Sequence, residues 1–236
     1  MAKKISTEKL LQKIEDFGTP VGAIYLSQEM DVSQATIGRL LKDTEDAGYL
    51  ERIGNKGRQL TAEGRVFLQD QKNVQSKKRT ANSLINYVAN TSPEKLLEIL
   101  QARKLLEGFT VRHACMNVTD AHLTELDDIM MEHIAEIRCG GLGNEQDLKI
   151  HLTIAKISGN MTIYQVLKLI LTEDNAYKVL PSVDDSVRKN QMIQHSDIIQ
   201  MVKEHNADRA EQAMQDHLDS VIENVKILSG MPKQQL

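Results

Sequence analysis

From Ser92 onward the apolar residues recur at intervals of three and four, and this regularity restricts the fold more than any other feature of the chain. The runs "SPEKLLEILQARKLLEGFTVRHACMNV", "TDAHLTELDDIMMEHIAEIRCGG", "NEQDLKIHLTIAKISGN", "MTIYQVLKLILTEDNAYKVLP", "SVRKNQMIQHSDIIQMVKEHN" and "ADRAEQAMQDHLDSVIENVKIL" each carry the stripe of an amphipathic helix. Breaks fall at Gly140 and Gly141, at Gly159 and Asn160, at Pro181 and at Asn206. The pattern predicts an all-α bundle of six or seven helices over residues 92–230. With 41% hydrophobic residues, only 3% aromatic ones and no tryptophan, the core is one of Leu, Ile, Met and Val, and a β-sandwich is disfavoured.

The first 71 residues read differently. "STEKLLQKIEDFG" is a helix capped by Ser6 or Thr7, striped by Leu10, Leu11 and Ile14 and stopped by Gly18. A short helix over Ala23 to Met30, a turn at Asp31 and Val32, and a second helix from Ser33 to Ala47 match a helix-turn-helix. "YLERIGNKGRQLT" then forms two short extended runs around "GNKG", a hairpin signal, so the front reads as a winged helix-turn-helix. The polar, basic residues 72–91 form a linker of helical character. The fold class expected is therefore mainly α, with one small β-hairpin.

Residues 1–80 hold 14 Lys and Arg against 11 Asp and Glu, whereas the remainder holds 15 against 22. A basic front and an acidic back suggest two tasks. In the front, Ser33, Gln34, Thr36 and Arg39 fall on the leading turns of the second helix of the motif, where a recognition helix meets bases and phosphates. Lys56 and Arg58, read as the hairpin tip, suit a phosphate backbone or a minor groove of double-stranded DNA. The plainer reading is a winged helix that binds protein, or a solvated basic loop.

In the back, Asp147 and His151 stand at i and i+4 and share a helix face. His195 continues the row of Ile198, Ile199 and Val202, and His217 that of Met214, Val221 and Val225, so all three histidines face the bundle interior. His133 continues Leu126, Ile129, Met130 and Ile137 in the same way, and spacing does not separate it from the others. A single histidine on an apolar face is usually a satisfied core residue, but a buried carboxylate grouped with three imidazoles calls for a divalent cation, whether zinc, nickel, manganese or iron. No HExxH, no Glu three residues before a His, no GxSxG and no GxxxxGK phosphate loop occurs. Cys115 and Cys139 form no CxxC pair.

Three segments in order resemble the FCD ligand-binding domain of the GntR superfamily of bacterial transcription regulators. They are "ARKLLE" with its Arg and Glu, "DLKIHLTIAKISGN" with Asp-x-x-x-His, and "QHSDIIQMVKEHNADRAEQAMQDHL" with a histidine near each end. A winged helix placed first is a fourth point of likeness. The resemblance implies that Asp147, His151, His195 and His217 hold the metal and that His133 is a core residue. It also implies that Arg103 pairs with a carboxylate of a small organic-acid effector and that Asn160 lines the same cavity. The front departs from the family pattern: where a Pro-Gly pair and an Arg-x-Pro-Val-Arg-like start are usual, "GTPVGAIYLSQEM" and "VSQATIGRLLKDTEDAGYL" stand. It is a divergent winged helix.

The expectation is a cytoplasmic, homodimeric, ligand-responsive DNA-binding regulator and not an enzyme, because no general acid or base stands beside the metal residues. The start, "MAKKISTEKLLQKIEDF", lacks the apolar run of a signal peptide, and no run approaches a membrane span. The competing readings are a metal-dependent enzyme on small organic acids and a metal-free dimerisation bundle behind the same winged helix.

Overall fold

The structure is a computed structural model and describes residues 5–89, 92–171 and 184–230. It divides into two compact units, Met1–Ser83 and Leu84–Leu236. Among the described residues no helix is long and apolar enough to cross a membrane.

The first unit opens with α1 (Thr7–Phe17), whose amino end is capped by the Ser6 hydroxyl accepting from the Lys9 amide at 3.4 Å. Helices α2 (Ala23–Met30) and α3 (Gln34–Asp46) follow, separated by a turn in which Asp31 adopts a left-handed conformation. The two strands β1 (Leu50–Arg52) and β2 (Arg58–Leu60) pair antiparallel with Leu50 opposite Leu60. Helix α4 (Ala62–Ala89) then runs through the segment read as a linker, and its last residues belong to the second unit. Leu10, Leu11, Ile14, Leu26, Ile37, Leu41, Leu50, Leu60 and Leu68 form the core, which places the predicted α1 stripe inside.

The wing is held by three close approaches that explain its small residues. Gly57 has φ +121°, and a side chain there would meet the Val21 carbonyl carbon at 2.4 Å. That proximity lets Val21 and Arg58 exchange backbone hydrogen bonds of 3.0 Å in each direction. The Thr61 hydroxyl donates to Gly48 O at 2.7 Å and accepts from the Gly64 amide at 2.9 Å, tying β2 to the first turn of α4. A methyl group at 64 would stand 2.1 Å from the Tyr49 carbonyl oxygen, so only glycine fits. Gly64→Ala is expected to destabilise this unit by about 1–3 kcal/mol through overpacking. Urea denaturation checks this; a curve superimposable on that of the wild type would refute the contact.

The second unit contains six helices among the described residues: α5 (Pro93–Asn117), α6 (Asp120–Arg138), α7 (Asn144–Ile157), α8 (Met161–Ile170), α9 (Asp185–Lys203) and α10 (Ala207–Leu228). Side chains of Ser92, Thr119, Asn160, Asp184 and Asn206 cap α5, α6, α8, α9 and α10 in turn. The helix read over "MTIYQVLKLILTEDNAYKVLP" is seen to Ile170; its remainder and the break at Pro181 lie outside the described residues. Helix α10 packs along α5, and α7 lies against α5, α6 and α8. The core is aliphatic, with Leu100, Val111, Leu126, Ile150, Ile154, Ile198, Val202, Met214 and Leu218 at its centre. Five of these helices carry a polar residue into that core, and those residues meet.

Candidate metal centre

Asp147 and His151 project from α7, His195 from α9 and His217 from α10. One ligand-type atom from each of the four lies within 4.8 Å of every other. His195 Nε2 is the hub, 3.2 Å from His151 Nε2, 3.2 Å from His217 Nε2 and 3.1 Å from Asp147 Oδ1. The three imidazoles are buried, whereas the Asp147 side chain retains 22% exposure and marks the side of the site nearer to solvent.

Glu107 and Arg103, both buried on α5, stand behind the quartet. Arg103 Nε donates to Glu107 Oε1 at 2.6 Å, and His151 Nδ1 abuts Glu107 Oε2. On the opposite side, His217 Nδ1 is 3.1 Å from Gln194 Oε1. An amide oxygen can only accept, so His217 carries its proton on Nδ1 and turns a bare Nε2 inward. The Glu107 carboxylate faces His151 Nδ1 in the corresponding place. His133 on α6 is buried nearby, its ring 5.5 Å from that of His195.

Electrostatics move Asp147, His195 and His217 toward the protonation states of metal ligands. Burial opposes the charge on Asp147, but the hydrogen bond from His195 and the electrostatic attraction of the imidazoles around it outweigh burial and hold the carboxyl well below its usual range. Burial likewise pushes Glu107 up, while Arg103 and His151 bring it down to about 2. Burial lowers His195 and carries His217 well below the usual imidazole value; mutual repulsion between imidazolium charges adds to the effect. Burial lowers His133 to about 4.

The donor set fits a divalent cation for a reason visible in the hydrogen bonds. His195 Nε2 can carry one proton and has three neighbours at 3.1–3.2 Å, two of them nitrogens whose lone pairs face inward. Lone pairs directed at a common point repel unless a cation sits among them. Metal–nitrogen bonds of about 2.0–2.1 Å correspond to ligand–ligand edges of roughly 2.9–3.4 Å; the three edges at His195 Nε2, 3.1–3.2 Å, fall within that span, and the edge between Asp147 Oδ1 and His151 Nε2 is wider at 3.9 Å.

Of the other residues singled out in the sequence, Arg103 reaches this region but is committed to Glu107 through Nε. Asn160 caps α8, its Oδ1 accepting from the Ile163 amide at 3.1 Å. In the winged helix, Ser33, Gln34 and Arg39 are exposed on the leading turns of α3; Ser33 caps the helix and lies 2.8 Å from the Thr36 hydroxyl. Lys56 is exposed in the turn of the hairpin. Arg58 is displaced from the expected tip: it is the first residue of β2, half-buried, and its Nε donates to Glu45 Oε2 at 2.7 Å. The backbone pairing of 58 with Val21 draws it into the strand. Glu107 and Gln194 received no role from the sequence, because neither lies at a ligand spacing; only the Glu ending "ARKLLE" marked the first of them.

The architecture is a winged helix in one unit and, in the other, an all-α bundle built around one carboxylate and three imidazoles. The FCD domain family matches residues 98–220. The chain belongs to this family and carries a winged helix ahead of the matched domain. The HTH-type transcriptional repressor NanR of Edwardsiella tarda is 27% identical over 142 residues, 58% of this chain and 54% of that protein, so the chain spans about half the length of the curated relatives it matches. Two solved structures share the fold. E. coli McbR/YncC superposes with a TM-score of 0.53 at 13% identity, covering 96% of this chain and 99% of that one. Lar, described as controlling expression of the Listeria monocytogenes agr system, has a TM-score of 0.52 at 12% identity over the same shares.

Purified without a tag, the protein is expected to contain about one equivalent of divalent metal per chain, and His195→Ala, which removes the hub, to lose it. Elemental analysis decides the point; less than about a tenth of an equivalent in the wild type, with unchanged stability after chelation, would sink the site and favour a metal-free bundle.

Proposed function

We propose that this protein is a DNA-binding transcription regulator whose helical domain holds a divalent cation, zinc first, at Asp147, His151, His195 and His217, and responds to a small organic-acid effector bound beside it. The observation that carries the reading is the convergence of those four ligand atoms inside the bundle, together with the inward lone pairs. A bound cation supplies a fixed positive charge to which a carboxylate can attach. The chain's own residues do the rest. Glu107 and Gln194 orient two imidazoles, and Asp147 offers the open, more exposed side. Arg103, whose planar fork suits carboxylates, stands one residue behind His151, with Asn160 at the turn from α7 to α8.

The winged helix supports double-stranded DNA as the partner, through Ser33, Gln34, Thr36 and Arg39 on α3 and Lys56 and Arg58 on the wing. In this reading two copies of the chain form a homodimer that meets a palindromic operator, and the effector alters the relative placement of their winged helices. NanR is named a repressor, which favours a regulatory over an enzymatic role.

The wing residues behave differently in the test. Lys56→Ala should weaken operator binding and lower the slope of log affinity against log salt by about one, the signature of one lost phosphate contact. Arg58→Ala removes the tie to Glu45 as well, so it should also lower the thermal stability of the wing. Gel shifts across a salt series measure the first effect. An unchanged slope for Lys56→Ala would refute the wing contact.

A further inference from the structure

We propose that Glu107 is the positioning residue of the centre: from α5 it accepts a hydrogen bond from His151 Nδ1–H, fixes the imidazole with Nε2 bare toward the cation, and is itself held by Arg103. The inference rests on the metal reading above and assigns Arg103 a role that does not need an effector.

The argument starts from burial. The Glu107 side chain is 1% exposed and that of Arg103 9%, at i and i+4 on one helix, 2.6 Å apart. A buried ion pair of this kind contributes little to stability over an apolar pair of the same shape, because desolvation consumes most of the attraction. The pair has a second arrangement to maintain. One carboxylate oxygen accepts from Arg103 Nε and the other abuts His151 Nδ1, so the two oxygens divide between guanidinium and imidazole.

That division sets the tautomer. A neutral imidazole has one N–H, and a carboxylate against Nδ1 draws the proton there, leaving the Nε2 lone pair free. His151 Nε2 then points at His195 Nε2, 3.2 Å away, where a cation would bind. Arg103 prevents the carboxylate from turning aside and offsets its charge, so the group behind His151 is a dipole aimed along the imidazole. A carboxylate hydrogen-bonded to a ligating histidine raises the basicity of that histidine and fixes its ring. His217 has only the neutral Gln194 in the equivalent place, so His151 is the better electron donor of the two.

The test compares the full-length wild type with Glu107→Gln and Glu107→Ala, using zinc ion in competition with a chromophoric chelator and long-range 15N spectra of the histidines in the chelated protein. Removal of such a second partner typically costs 10- to 100-fold in metal affinity. Glu107→Ala is expected within that range, Glu107→Gln near its lower end, and Glu107→Asp is expected to recover part of the loss. Wild-type His151 should show the Nδ1–H tautomer and Glu107→Ala a shift toward the mixture of free imidazole, whereas Glu107→Gln, whose amide oxygen can still accept as Gln194 does for His217, should largely keep it; a purely structural ion pair would not move that signal in the Ala variant. Arg103→Lys should weaken zinc binding with no organic acid present. Zinc affinities of the Glu107 variants within twofold of the wild type, or an Nε2–H tautomer for wild-type His151, overturn the inference while leaving the metal site standing. Failure of the wild type itself to take up zinc overturns both, and is seen before any variant is compared.

Discussion

Burial of several polar and charged side chains at one point inside an aliphatic bundle is the condition to which the rest of the second unit is subordinate. Each of these groups would cost free energy if it stood alone, and the carboxylates would cost most. All but His133 have polar partners: Glu107 faces Arg103 and His151, Asp147 faces His195, and His217 faces Gln194. The arrangement demands that α5, α7, α9 and α10 approach in a fixed register, since a slip of one residue on any of them would bury an unpaired group. The packing of α10 along α5 and of α7 against α5 and α6 is the packing that brings these side chains together. Outside the polar centre the helices are ordinary, with Leu, Ile and Val filling the space and capping residues closing the ends.

The first unit solves a different problem, namely how a unit of this size keeps a rigid hairpin on a helical base. Its answer is close backbone approach. Gly57 lies against Val21, Gly64 against Tyr49, and Thr61 bonds to both sides of the junction between β2 and α4. These contacts use the small residues of "GNKGRQLTAEG" for structure and leave the proposed DNA contacts to exposed positions such as Gln34, Arg39 and Lys56. Arg58 stands between the two roles, because its guanidinium is drawn to Glu45.

Elements with strong local signals were legible along the chain. Helix α2 spans Ala23 to Met30 as its pattern predicts; α1 begins after Ser6 and ends before Gly18, where a capping hydroxyl and a left-handed glycine leave no alternative. The inward direction of His151, His195 and His217 followed from period alone, since a helix has only one buried face. Period could not distinguish His133, which is buried just as they are and stands 5.5 Å ring to ring from His195. What separates it is that its ring nitrogens are not among the ligand atoms that converge, which no single helix can show. Glu107 and Gln194 were unread for the same reason, as each acquires a role only through a partner 44 or 23 residues away.

The sequence by itself determined the order of the elements, the all-α character of the back, the winged helix in front and the side of each helix that turns inward, because these depend on periodicity, caps and turns within a few residues. Tertiary structure alone decided which inward residues meet. Four ligand atoms come within 4.8 Å of one another because three helices, α7, α9 and α10, cross at compatible heights, and crossing height is set by the fit of every side chain along the interfaces. The same fit tied Arg58 into the wing and committed Arg103 to Glu107, since a charged group takes the nearest partner that packing offers, wherever in the chain that partner lies.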